Sequence, residues 1–74
     1  MELNDTELLH YGIDDCGDDF VTEAFILGNK MGLYSGNVHY YDFDNLDQFY
    51  SDFADWWKTL SNDNRRHIYT ELKK

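Results

Sequence analysis

The sequence predicts a small α+β domain, mainly helical, with three to four helices and a short hairpin or strand near 33–43. Three observations predict it. Residues 45–60 place Leu46, Phe49, Tyr50, Phe53, Trp56, Trp57 and Leu60 on one helical face. Asn4-Asp5-Thr6-Glu7 has the form of a capping box, which opens a helix. Val38 to Phe43 is β-branched and aromatic and follows the turn signal Ser35-Gly36-Asn37. The alternative is a three-stranded antiparallel meander over 20–43, flanked by helices. Seventy-four residues make one domain, 1–74.

The first helix starts at the N-cap Asn4 and runs to about Tyr11, with Leu8 and Leu9 inward and Gly12 as its stop. Residues 13–19 form an acidic connection around Cys16. Its acidic neighbours should raise the thiol pKa, so no reactive thiolate is expected. Residues 19–31 admit two readings. As a helix, Phe20, Ala24, Leu27 and Met31 form a stripe, Asp18 or Asp19 caps it and Gly32 ends it. As strands, Phe20–Leu27 is β-rich and Gly28-Asn29 makes a tight turn. In the helical reading Gly28 costs about 1 kcal/mol relative to Ala, which points to close packing against a neighbour.

The helix over 45–60 is the clearest element, with Asp44 as N-cap and Asp47 at N3, where the helix dipole favours an anion. Ser61 or Asn62 caps a last helix over about 62–73. Ile68 and Leu72 face inward, and Arg65, Arg66, Lys73 and Lys74 face out.

Composition excludes several function classes. The chain is 42% hydrophobic and carries thirteen aromatic side chains (two Trp, six Tyr, five Phe), too apolar for a disordered acidic tail. No apolar run is long enough for a membrane-spanning helix, and the N-terminus does not read as a signal peptide. A single cysteine supplies neither a disulfide framework nor a Cys-based zinc site. The expected location is the cytoplasm, a host cell's if the chain is phage-encoded. An EF-hand loop from Asp42 would need Gly where Asp47 stands and Glu where Phe53 stands. His10, His39 and His67 lack paired ligand spacing. No phosphate loop, nucleophile elbow or Cys–His signature is visible. No catalytic residue, cofactor or metal is therefore expected.

Charge is the informative pattern. The net charge is −9, and it is unevenly placed. Residues 1–57 hold thirteen acids against the single base Lys30, giving −12. Residues 58–74 hold five bases against Asp63 and Glu71, giving +3. That sign opposes direct binding to a phosphate backbone. Arg65 and Arg66 read as partners for nearby acids, or as a rim contact. One reading of the excess is an ordinary solvated, solubilising surface. The other is a protein that meets a basic partner rapidly. The expected contact residues are Asp47, Asp52 and Asp55 along the long helix and Asp42 and Asp44 flanking its start, with Asp14, Asp15, Asp18 and Asp19 as a second patch. Asp47 and Asp55 would stand about 12 Å apart along the helix axis. Tyr and Trp are common interface anchors, and alternation in an extended segment puts one of Tyr40 and Tyr41 outside.

In these features the chain resembles phage and mobile-element anti-defence proteins, of the anti-CRISPR and antirestriction type, many of which mimic DNA. The likeness rests on composition and on Val38-His39-Tyr40-Tyr41-Asp42-Phe43-Asp44 running into the acidic aromatic helix Leu46–Trp57. It implies a non-enzymatic inhibitor that occupies the nucleic-acid groove of a basic CRISPR effector, restriction enzyme or nuclease. The Tyr40-Tyr41 pair is also similar to that of bacterial nuclease-immunity proteins. Those are usually longer and carry a proline after the tyrosines, whereas this chain has no proline. A third expectation is a small adaptor or structural protein that binds a partner, or its own copy, through exposed aromatics. The sequence leaves the oligomeric state open.

Overall fold

The computed structural model describes residues 3–35 and 43–73. Among them are four α-helices: α1 Asp5–His10, α2 Asp18–Lys30, α3 Leu46–Thr59 and α4 Asn62–Leu72. A π-helical turn, Tyr11–Asp15, prolongs α1, and a 3-10 turn, Phe43–Asn45, leads into α3. No strand occurs among the described residues. The fold is therefore helical, and the meander over 20–43 is excluded, because 18–30 is helix.

The hairpin near 33–43 is corrected for residues 33–35 and for Phe43, which opens the 3-10 turn; residues 36–42 lie outside the described part. The reason is hydrogen bonding. Gly32, at φ 76°, closes α2 with a Schellman turn: Gly32 N–H donates to Asn29 O at 3.1 Å, and Leu33 N–H to Gly28 O at 2.8 Å. Tyr34 N–H donates to the same Gly28 carbonyl, at 3.2 Å. Leu33 O accepts from the Trp56 indole at 3.1 Å, and Tyr34 O from the Asn29 amide at 3.2 Å. The backbone groups a strand would pair are already bonded to the end of α2 and to Trp56.

The core is built on the two adjacent tryptophans of α3. At about 100° per residue they diverge toward different neighbours. Trp57, fully buried, lies against Gly12 and donates its indole N–H to Leu8 O at 3.1 Å. Trp56 lies against Gly28 and donates to Leu33 O. A Cβ at either glycine would come well within 3.0 Å of the ring. Each tryptophan thus joins α3 to another segment through a glycine notch and a backbone carbonyl. Phe25 and Phe53 fill the space between, stacked on Trp56 and Trp57 at 5.3 and 5.4 Å. Leu8, Val21, Ala24 and Ile68 complete the buried centre.

Gly12 consequently does not end the first helix. The helical path passes through it and ends at Cys16 and Gly17, both extended. The capping box forms as expected: Glu7 N–H donates to Asn4 Oδ1 at 2.8 Å, and Asn4 N–H to Glu7 Oε1 at 3.0 Å. Other caps move by a residue. Gly17, not Asp18 or Asp19, is the N-cap of α2. The 3-10 turn shifts the α3 N-cap from Asp44 to Asn45, whose side chain makes no capping bond. The buried stripe of α2 is Phe20, Val21, Ala24, Phe25 and Gly28, while Met31, past the notch that Trp56 fills, is exposed. Tyr50 likewise leaves the buried face of α3.

Arg65 is also corrected: it is buried. Its Nη1 donates to Trp57 O at 3.0 Å and its Nη2 to Asn62 Oδ1 at 2.6 Å, so it clamps the end of α3 to the start of α4. Arg66 meets an acid as expected, Asp5 at 2.9 Å.

Candidate acidic interaction surface

The helix starts account for part of the acid excess. Each α-helix carries carboxylates in its first turn: Asp5 and Glu7, Asp18 and Asp19, Asp47, and Asp63. An anion there interacts favourably with the unpaired N–H groups, by about 0.3–1 kcal/mol. Asp18, Asp19 and Asp47 thus have a folding role whatever else they do.

Asp14 and Asp15 do not. They are the last two residues of the π turn, where carbonyls point outward and an anion is disfavoured. Both are exposed, as is Asp19, and Asp18 is half-buried. The four carboxylates bracket the Cys16-Gly17 elbow between the π turn and α2. The His10 imidazole, 3.8 Å from Asp14, is too far for a hydrogen bond. Asp14 and Asp15 thus end one helix, where an anion is disfavoured, and Asp18 and Asp19 begin the next, where it is favoured.

The second group lies along α3. Asp47 and Asp55 are exposed, two turns apart. Asp52 is half-buried and accepts a hydrogen bond from Gln48 at 2.6 Å. Burial, helped by the Asp52 carboxylate, raises the pKa of Tyr34. Asp44 is exposed in the turn that precedes α3. Lys58, three residues after Asp55, is exposed near the end of the same helix, so this face is not uniformly acidic. Tyr40, Tyr41 and Asp42 lie outside the described residues.

Cys16 sits in the elbow, its thiol donating to Gly12 O at 3.3 Å. Burial, reinforced by Asp15, pushes its pKa up to about 11. Acidic surroundings were the expected cause; burial is the larger one. Lys73, just beyond α4, places its ammonium 5.1 Å from the Tyr11 ring centre and 5.7 Å from that of Phe20. A hydrogen bond with Tyr11 raises its pKa.

Sequence reasoning missed the Arg65 clamp and the Lys73–Tyr11 contact. The first had a signal: Arg65, Ile68 and Leu72 share the i, i+3, i+7 stripe that faces inward. The second had none, because Tyr11 and Lys73 stand at opposite ends of the chain.

Among the described residues no three metal-ligating side chains gather to hold an ion. Nor is any helix there long and apolar enough to cross a membrane. No protein-family model, curated protein or solved structure matches the chain.

Proposed function

We propose that this chain is a non-enzymatic inhibitor whose carboxylates occupy the nucleic-acid groove of a basic protein: a nuclease, a restriction enzyme or a CRISPR effector. The observation that carries the reading is the position of Asp14 and Asp15. Carboxylates at a helix C-terminus work against the stability of a 74-residue domain. A contact with a basic partner would recover that energy. Asp47, Asp52 and Asp55 supply a second row at intervals set by a helix, held by two buried tryptophans. Asp44 continues that row, and Tyr40, Tyr41 and Asp42 precede it in sequence.

The test is capture from cell extract on the immobilised chain at low salt, followed by a salt gradient and by competing duplex DNA. Captured nucleic-acid-binding proteins should elute at moderate salt and with DNA. Changing Asp52→Lys and Asp55→Lys should slow association and flatten its salt dependence. Retention that holds or tightens as salt rises would contradict the reading and favour an apolar adaptor contact.

A further inference from the structure

An open groove of about 450 Å³ runs between α1, the π turn and α4. Its volume falls within the range of small-ligand sites. Glu7, Tyr11 and Asp15 line it in a stripe, at intervals of four residues along the α1–π segment, and Leu3 joins them from ahead of the Asn4 cap. Tyr69 of α4 closes the opposite side, edge-on to Tyr11 with ring centres 5.2 Å apart. His10 adds an exposed imidazole. The stripe therefore sets an aromatic ring between two carboxylates. None of the described residues lining the groove is a lysine or an arginine.

We propose that this groove receives an arginine side chain of the partner protein. A guanidinium is flat, permanently charged and weakly hydrated. It stacks on an aromatic face and offers paired N–H donors to carboxylates. Tyr11 and Tyr69 supply the rings, and the acceptor is Asp15 or Glu7, which stand two helical turns apart and so do not share one guanidinium. The chain's own Lys73 ammonium, from outside the groove-lining residues, already lies against Tyr11, so an incoming guanidinium shares that ring with it or displaces it. The groove also gives Asp15 a use at its unfavourable position. The proposal rests on the partner being basic, as read above, and adds the side chain that would be inserted.

The test is an NMR titration of the intact chain with N-acetylarginine amide, run beside N-acetylcitrulline amide, its uncharged counterpart of the same shape. The arginine probe should give saturable shifts at His10, Tyr11 and Tyr69, and the citrulline probe should bind weaker by about fivefold or more. Glu7→Gln with Asp15→Asn should reduce arginine binding by a similar factor. Gln at N3 preserves the capping box. Equal binding of the two probes overturns the proposal, even if the double variant fails to fold. Unchanged arginine binding by the folded double variant overturns it as well. If a basic partner is captured normally by this variant, the groove assignment falls and the acidic-surface reading stands. If arginine binds the groove and no basic partner is captured, the reverse holds.

Discussion

Gly12→Ala puts the glycine notch to a quantitative test. In an ordinary helical position alanine in place of glycine stabilises by about 1 kcal/mol. Here the new methyl would meet Nε1, Cε2 and Cδ1 of Trp57 at less than 3.0 Å. That ring is fully buried, bonded to Leu8 O and stacked on Phe53, so it has little room to retreat. Overpacking costs about 1–3 kcal/mol. Breaking the indole bond and leaving a buried group unpaired costs about 1–3 kcal/mol more. Offset by the propensity gain, the net loss is about 3 kcal/mol. A domain of this size melts about 4–8 °C lower for each kcal/mol, so Tm should fall by about 12–24 °C. Thermal and urea denaturation followed by circular dichroism read this directly. Gly17→Ser is the control. Nothing lies within 4 Å of a Cβ there, the backbone is extended and the N-cap lacks a side-chain bond. That change should be neutral, or should stabilise by a few tenths of a kcal/mol. A Gly12→Ala variant as stable as the parent would refute the notch.

Three further predictions concern single side chains. Arg65→Met should cost about 1.5–3 kcal/mol, the worth of charged hydrogen bonds to Trp57 O and Asn62, and Arg65→Lys should recover only part; an unmoved denaturation midpoint would contradict the clamp. Asp14→Asn and Asp15→Asn should each raise stability by about 0.3–1 kcal/mol, with the gain shrinking in high salt, since each removes an anion from a helix C-terminus; lower melting temperatures would contradict that account. The Cys16 thiol is held protonated, from its ordinary 9.0 up to about 11. Its contribution to stability is therefore full below about pH 9 and lost as pH rises through about 11. Cys16→Ala should flatten that alkaline decline, and the native thiol should alkylate slowly at pH 8; rapid alkylation of the folded chain would contradict the burial.

The sequence made the local signals readable. The capping box at Asn4 and Glu7, the close packing implied by Gly28 and the stop at Gly32 are features of adjacent residues, and each appears in the structure. The face of α3 was readable from spacing, apart from Tyr50. What could not be read depends on residues distant in sequence. Gly12 looks like a stop until Trp57, 45 positions later, is known to rest on it. Residues 33–34 look extended because the wish of a helix end for amide donors leaves no mark in β propensity. Arg65 reads as exposed because charge outweighs spacing in any simple expectation, yet the buried carbonyl of Trp57 draws it inward. The candidate surface shows the same division. Acid positions follow from the sequence, whereas their favourable or unfavourable helix ends require the boundaries of the helices. The Glu7–Tyr11–Asp15 stripe needs the π turn that carries the helix past Gly12.

The central claim is that the acidic surface competes with nucleic acid for one groove. The direct measurement is competition: the captured protein is pre-bound to labelled nucleic acid, and this chain is titrated in at several nucleic acid concentrations. The account predicts full displacement, with the half-displacing concentration rising in proportion to nucleic acid and the effect weakening as salt increases. Formation of a ternary complex, or displacement indifferent to nucleic acid concentration, would contradict it.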